Sequence, residues 1–522
     1  MIDTKALRQK ILDLAIRGKL VPQDPDDEPA SVLLERIRQQ KQQMVKEGKL
    51  KAKDIKNDTI IFVGEDNLHY EKFSDGSVKC IEDEVPFGLP DGWAWVRLGN
   101  LSAAIQYGLS NSAEPQGTHR LLRITDIQDG KVDWNAVPFT TVNDPEAYLL
   151  KTGDIVFART GATVGKSFLI TETPYPSVYA SYLIRIRLLG SLSPEYIYQF
   201  FDSACYWSQI TDKSVGVGQP NCNGTSLKEL FIPLPPISEQ LRIVPTAQAL
   251  LAYVAKIDAE KKSLLSIIMA TKSKILDLAI RGQLIPQDPN DEPASVLLER
   301  IRAEKEELIK QGKIKRDKKE SVIFRGEDNS YYEKIDMEVR CINSEIPFDL
   351  PETWCWCRLG TLFAHNTGKA LNSADSAGTP MTYITTSNLY WDRFELDSLK
   401  EMLFADSEID KCTVKKGDLL VCEGGDIGRS AIWMFEENIR IQNHIHRLRP
   451  YISLSSRFYY YVMYMWKQLG LIGGQGIGLQ GFSSKMLHNL IVPLPSIDEQ
   501  ERIVAFIDKL FEQIESIEKS FS

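Results

Sequence analysis

Lys10–Arg38 reads KILDLAIRGKLVPQDPDDEPASVLLERIR, and Lys274–Arg302 reads KILDLAIRGQLIPQDPNDEPASVLLERIR. The two differ at three of 29 positions. Weaker matches follow downstream. Gly64-Glu65-Asp66-Asn67 pairs with Gly326-Glu327-Asp328-Asn329, and Trp93-x-Trp95-x-Arg97-Leu98-Gly99 with Trp354-x-Trp356-x-Arg358-Leu359-Gly360. Gly153-Asp154 pairs with Gly417-Asp418, and IPLPPISEQLRIV from Ile232 with VPLPSIDEQERIV from Val492. The period is about 260 residues, too long for a solenoid, so the chain holds two copies of a domain-sized unit. The flanks are nearly identical, while the interiors after Gly99 and Gly360 diverge widely. Simple drift after duplication would erode both alike. Divergence confined to the interiors predicts one scaffold presenting two different recognition surfaces.

Helical periodicity supplies the scaffold. Leu250, Val254, Ile257, Lys261, Leu264, Ile268, Thr271, Ile275 and Leu278 alternate spacings of four and three, a coiled-coil seam with two polar interruptions. Pro245 marks an expected start or kink, and Gly282 an expected stop. Ile503, Ile507, Leu510, Ile514, Ile517 and Phe521 repeat the first part of this seam, and Leu7, Ile11 and Leu14 the last part. Joined end to end, the termini would rebuild the central helix. They are therefore expected to lie close together and complete an antiparallel pair. Shorter helices are expected at Ala30–Glu47 and Ala294–Gln311, each ending at a glycine and leading into basic residues. The expected fold class is α+β: two globular mixed α/β domains joined by long antiparallel coiled-coil helices, with a pseudo-twofold internal repeat. The expected segments are 1–60 (helical), 61–235 (first domain), 236–320 (central long helix and short helix), 321–495 (second domain) and 496–522 (C-terminal spine helix).

The chain has 522 residues, 43% hydrophobic and 25% charged, which suits globular domains rather than intrinsic disorder. No run of eighteen apolar residues and no signal-peptide core are present, so a cytoplasmic protein without a membrane segment is expected. The eight cysteines are scattered without zinc spacing and are expected to stay reduced. The net charge of −9 argues mildly against nucleic acid. By segment, Pro86–Pro235 carries 11 Lys+Arg against 13 Asp+Glu, and Pro347–Pro495 carries 14 against 15. Neither domain is basic, so DNA affinity requires charge segregated on one face or a basic partner.

Catalytic motifs fail their spacing tests. Gly161-Ala-Thr-Val-Gly165-Lys166-Ser167 is one residue short of a phosphate loop, and the other copy places Arg429 where Lys166 stands. Both read better as tight glycine turns. Gly476-x-Gly478-x-x-Gly481 follows a helix, where a dinucleotide fingerprint follows a strand. No metal ligand set, H-E-x-x-H or G-x-S-x-G occurs. Neither does the Asn-Pro-Pro-aromatic segment of amino-methyltransferases.

What remains suits recognition. Strands are expected at Arg120–Ile127, Asp154–Arg159 and Tyr182–Leu188, and at Met381–Thr386, Asp418–Cys422 and Ile439–Leu448. A helix follows each set, at Pro194–Trp207 and Ser455–Leu469. Period two places Arg185 and Arg187 on one face, and likewise Arg447 with Arg449 and His444 with His446. Arg, Asn, Gln and His read base edges. The candidate DNA-binding residues are Arg159, Lys166, Tyr182, Arg185, Arg187, Gln219 and Asn221 in the first copy. In the second they are Arg429, Asn443, His444, His446, Arg447 and Gln475. A solvated sheet face with polar loops is the plainer account of any one of them.

The two-copy plan, Gly-Asp-Ile-Val-Phe-Ala-Arg-Thr-Gly from Gly153, and Pro-Leu-Pro-Pro-x-x-x-Glu-Gln-x-Arg-Ile-Val from Pro233 resemble the specificity subunit of type I restriction–modification enzymes, over essentially the whole chain. The resemblance implies two target recognition domains, each reading half of a split double-stranded DNA site. It implies helices that bind two methyltransferase subunits, with restriction/translocase subunits docking on that core. Leu250, Val254, Ile257, Leu264, Ile268, Ile514 and Ile517 are the expected partner-binding positions, with Leu510 of the same seam not assigned. It implies no cofactor in this chain, with S-adenosylmethionine, ATP and Mg in the partner subunits, and adenine as the methylated base. Glu423 and Gly424 stand where the first copy has Arg159 and Thr160, so an arginine role there does not extend to both halves. The alternatives are a protein-only coiled-coil scaffold without sequence-specific DNA reading, and an enzyme built on the glycine loops.

Overall fold

The computed structural model describes residues 3–128, 130–213, 221–316, 320–371, 378–472 and 482–520. The chain divides at Lys262 and Ser263 into two compact units. The division falls inside one helix, Ile237–Ile280, of 44 residues. This helix starts earlier than expected, and Pro245 lies within it. Leu241, four residues back, is on the exposed face, where water can take the carbonyl that the proline leaves unpaired.

In the first unit the Thr4–Ile16 helix is capped by Asp3, whose carboxylate accepts from the Ala6 N–H at 2.9 Å. It runs antiparallel to the long helix. Thr4 donates to Asp258 at 3.1 Å, Ile11 packs against Ala247 and Val254, and Gln23 beyond the helix end donates to Glu239 at 2.6 Å. Gly18 ends the helix at φ +63°, and a Cβ there would stand 2.6 Å from Pro90 Cγ. The second unit repeats the arrangement with Ile497–Ser520 along the other part of the long helix. Gln287 donates to Glu499 at 2.5 Å, Leu276 and Ala279 share a core with Ile503 and Ile507, and Lys272 lies 5.6 Å from the Phe511 ring centroid.

The seam holds at Val254 and Ile268 but slips by one residue at both flanks. Leu251 is covered where Leu250 is 37% exposed, and Ala279 is buried where Leu278 is only half-buried. The first part of the helix faces Thr4–Ile16 and the second Ile497–Ser520, so the covered positions do not follow one continuous seam. Val254 and Ile268 are buried within the chain, which corrects the expectation that they meet a partner. Ile257, Leu264, Leu510 and Ile514 are half-buried, and Ile517 is exposed. Phe521 lies outside the described residues.

The Pro-Leu-Pro…Glu-Gln-x-Arg element explains itself in the frame. Its Pro-Leu-Pro strand, Phe231–Leu234, pairs with Ala94–Arg97, which carries Trp95. Glu239 then accepts from the Trp93 indole N–H at 2.8 Å as well as from Gln23. Gln240 donates to the Pro235 carbonyl at 3.0 Å and accepts from the Ser193 N–H at 3.2 Å. Arg242 forks onto Asp27 at 3.1 and 2.5 Å. In the second unit Glu499, Trp354, Gln500, Ser455, Arg502 and Asp291 make the same set of contacts.

Each interior is built on a four-stranded antiparallel sheet of one topology. The order is 167–169, 155–158, 183–188, 102–107 in the first unit, and 430–432, 419–422, 445–450, 363–367 in the second. A second sheet, of three strands in the first unit and four in the second, adds a parallel pairing of 177–179 with 119–122, and of 439–441 with 379–384. The expected single strand Ile439–Leu448 is therefore two strands, broken at Gln442–His444, where the Ile445 N–H closes a turn on the Gln442 carbonyl at 3.0 Å. The first copy breaks likewise at Ala180–Tyr182, with Leu183 N–H on Ala180 at 2.9 Å. The chain leaves one sheet and enters another there, which a run of alternating residues does not reveal. The expected helix Pro194–Trp207 is also two, Pro194–Phe200 and Ala204–Lys213.

Glu239→Ala leaves the Trp93 and Gln23 donors unpaired, and is expected to lower unfolding free energy in urea by about 1–3 kcal/mol. Glu239→Gln keeps an acceptor for Trp93 and removes a charge that burial disfavours, so it is expected to cost less than Glu239→Ala.

Candidate nucleic-acid interface

Period two did place paired arginines on one face, but that face is turned inward. Arg185 is 2% exposed. Its guanidinium donates to the Leu149 carbonyl at 3.0 Å and to Gln106 Oε1 at 2.7 Å. Arg187 forks onto buried Asp154 at 2.7 and 2.6 Å and shares the Leu149 carbonyl at 2.9 Å. In the second unit Arg447 donates to the carbonyls of Asp410 and Thr413. Arg449 forks onto Asp418 at 2.7 and 2.6 Å. The Gly-Asp pairs Gly153-Asp154 and Gly417-Asp418 therefore supply the counter-ions of these arginines. Desolvation lowers the Arg185 and Arg447 pKa values, and the carbonyls around them satisfy the charge. The base-reading role expected of Arg185, Arg187 and Arg447 is corrected: their terminal guanidinium nitrogens bond carbonyls and side chains inside the fold, and the Nε of Arg185 and Arg447 is itself buried.

His446 is corrected on the same ground. It is fully buried, with Nε2 2.8 Å from the Phe482 carbonyl and Nδ1 3.0 Å from His365 Nε2. His444 precedes the strand, is exposed, and does not share a face with it. Arg429 donates to the Thr386 carbonyl at 2.5 Å and lies 5.1 Å from the Tyr390 centroid, whereas Lys166, at the equivalent turn, is exposed. Asn443 is half-buried in the turn before His444. Gln219 and Gln475 lie outside the described residues.

The breaks between sheets create a corner that both units share. In the first, the Arg159 N–H donates to the Tyr182 carbonyl at 3.1 Å, and the Cys222 N–H to the Arg159 carbonyl at 3.0 Å. In the second, Glu423 N–H donates to His444 at 2.9 Å, and Phe482 N–H to Glu423 at 2.9 Å. A glycine completes each corner. Gly108 N–H meets Leu183 at 3.1 Å and Gly368 N–H meets Ile445 at 3.4 Å. A Cβ at Gly108 would come 2.3 Å from the Tyr179 carbonyl oxygen, and one at Gly368 would come 2.0 Å from that of Ile441, so no side chain fits.

On this common backbone the side chains differ. Tyr107, Arg159, Tyr182 and Asn221 surround the first corner. Tyr182 is 64% exposed and Tyr107 is 40% exposed. The Arg159 guanidinium carbon stands 4.8 Å from the Tyr107 centroid, and Thr160 bridges to Asn221. Thr367, Glu423 and His444 take the equivalent places in the second. So the structure brings Arg159, Tyr182 and Asn221 together, as it does Asn443 and His444. Sequence reading missed Tyr107 and Thr367, because nothing local marks which strand end meets the corner. It met Glu423 only as a departure from the Arg159 pattern. Among the described residues no group of His, Cys, Asp or Glu could hold a metal ion, and no helix is long and apolar enough to cross a membrane.

The family model of the type I restriction modification DNA specificity domain matches twice, at residues 90–267 and 351–520. The chain belongs to this family. Each match takes in one corner and one signature element. Family membership makes the chain a DNA specificity component, the non-catalytic part of a type I restriction–modification system. It is 25% identical over 586 aligned residues to the type I restriction enzyme EcoAI specificity subunit of Escherichia coli, covering 97% of this chain and 89% of that one. It is 29% identical over 420 residues to the EcoEI specificity subunit of the same species, covering 69% of this chain and 62% of that one. A chain from a solved structure of a type I R-M system superposes with a TM-score of 0.52 at 18% identity, over 84% of this chain and 94% of that one, which shows the fold.

Two outcomes follow from the buried residues. Arg185→Ala leaves Gln106 Oε1 without its donor and the Leu149 carbonyl with only Arg187, so it is expected to cost about 1–3 kcal/mol of stability. Mapping the methylated target of the folded variant is expected to show its letters unchanged. The second outcome concerns pH. Burial, then the His446, His488 and Arg447 charges, push His365 down to about 3, and burial lowers His446 against the opposing Phe482 carbonyl and Glu423. Both stay neutral in the fold, while the unfolded chain takes up protons below about pH 6.5. Their stabilising contribution is therefore complete above about pH 6.5 and is lost as pH falls toward 3. The first unit has Ile105 and Ile184 at these places. Urea unfolding of the His365→Ile, His446→Ile double variant is expected to show a weaker loss of stability between about pH 7 and 5 than the parent.

Proposed function

We propose that this chain reads a bipartite double-stranded DNA target, one half through each unit, and carries two methyltransferase subunits and the restriction/translocase subunits of its system. The single observation that supports this reading is the corner built twice on one backbone with unlike side chains. A scaffold that bound proteins alone would have no use for that difference. S-adenosylmethionine, ATP and Mg act in this account in the partner subunits. The partners also supply positive charge, which neither interior has in excess. Exposed apolar side chains on the helical frame (Leu241, Tyr253, Ile267 and Met269 on the long helix, Phe506 and Ile517 on the last) offer them a docking face.

In this reading the long helix sets the number of bases skipped between the two half-sites. Its 44 residues would span about 66 Å at 1.5 Å per residue. One helical turn inserted after Lys261 is expected to lengthen the unread gap and leave the letters of both half-sites unchanged. Sequencing methylated adenines genome-wide, in cells expressing the chain with its methyltransferase, measures gap and letters together. Changed letters with an unchanged gap would contradict the proposal.

A further inference from the structure

We infer that Arg159 and Glu423 each set one letter of the target with opposite hydrogen-bond polarity: Arg159 donates to a guanine, and Glu423 accepts from a cytosine amino group. The inference rests on the DNA-reading function proposed above and assigns the residues that carry it. The two occupy one backbone position, fixed by matching hydrogen bonds to Tyr182 and His444 and to Cys222 and Phe482. A change of residue there alters chemistry while leaving geometry in place. Here it reverses the charge.

Arg159 differs from the other arginines of its sheet. Arg185 and Arg187 have acceptors inside the fold. Arg159 is half-buried, and its terminal guanidinium nitrogens make no hydrogen bond among the described residues; its Nε is buried without an acceptor, as is that of Arg185. Its guanidinium is oriented by the Tyr107 ring instead. Asn221 Oδ1 beside it also lacks a donor among the described residues. A guanidinium held in place with its hydrogen-bonding capacity unspent is prepared for a ligand with two acceptors on one edge. In the major groove, guanine O6 and N7 form that edge.

Among the described residues the Glu423 carboxylate has only the His444 imidazole near it. His444 Nδ1 is 3.6 Å from its carboxylate, beyond hydrogen-bond reach. A carboxylate brought against DNA is repelled by phosphates, so it weakens binding unless it meets a donor. The exocyclic amino group of cytosine is such a donor. The two readers would then be complementary in kind, which lets one scaffold distinguish its half-sites by chemistry rather than by shape.

The test uses the full chain with its methyltransferase subunits in cells and maps methylated adenines at single-base resolution. Each half of the parent target is expected to contain a G·C pair. Arg159→Gln is expected to relax one G·C position in one half by about tenfold to a hundredfold, and Glu423→Gln one G·C position in the other half. The remaining letters should hold. Arg159→Lys keeps the charge without the fork, and is expected to retain methylation with the same position relaxed. Full specificity in either folded glutamine variant, or in Arg159→Lys while Arg159→Gln methylates nothing, would overturn the inference. So would a parent half-site without a G·C pair. A parent chain that directs no bipartite methylation would instead overturn the underlying function.

Discussion

A buried carboxylate at the start of each spine segment holds the repeated frame together. Glu239 and Glu499 are almost fully covered, and each accepts one indole N–H and one glutamine amide. Burial raises both pKa values, opposed by the tryptophan and glutamine donors. Those donors come from distant parts of the sequence: the tryptophan from the residue just before a strand, the glutamine from the loop after Gly18 or Gly282. One acidic side chain therefore ties together the flanking loop, the edge strand and the long helix. The Arg–Asp fork beside it fastens the long helix to the same loop, and the adjacent glutamine fastens it to the start of the helix that follows the sheet. This is why the flanks stay nearly identical while the interiors diverge: each conserved-looking letter of the repeat has a counterpart that must move with it.

The interiors show a second division of labour. Arg187 with Asp154, and Arg449 with Asp418, are paired identically in the two units. They fasten the sheet to the loop that precedes it. The side chains differ within the sheet, as at Ile105 and Ile184 against His365 and His446, and differ in charge at the corner, where Glu423 takes the place of Arg159. Arg185 is held inside the sheet, whereas Arg159 lies just past the end of the neighbouring strand, at the corner. In the proposed reading a change at Arg185 acts on folding and a change at Arg159 on what the corner binds.

Much of the frame was legible because its signals are local or repeated. The duplicated 29-residue run gave two units, and the four-three spacing gave the long helix and its terminal partners. The slip at Leu250 and Leu278 was hidden because the two parts of the helix pack on different partner helices, which the spacing of one helix does not show. The candidate site was less legible. Alternation showed that Arg185 and Arg187 share a face, but period two cannot say which face is inside. The answer lay in Leu149, Gln106 and Asp154, remote in sequence. The sheet breaks at Ala180–Tyr182 and Gln442–His444 were equally silent, since the residues on either side suit strands. Tyr182 and His444 gained their place from those breaks, and Glu423 gained meaning only once it was seen to occupy the position of Arg159.

The central claim is that one frame presents two independent readers. It is tested most directly by replacing residues 100–230 with residues 361–490, so that both units carry the second interior on their own flanks. Adenine methylation is then mapped across a genome in the presence of the methyltransferase subunits. The account predicts a target whose two halves carry the same letters, those of the half formerly read by the second unit. A target that keeps two different halves would contradict it.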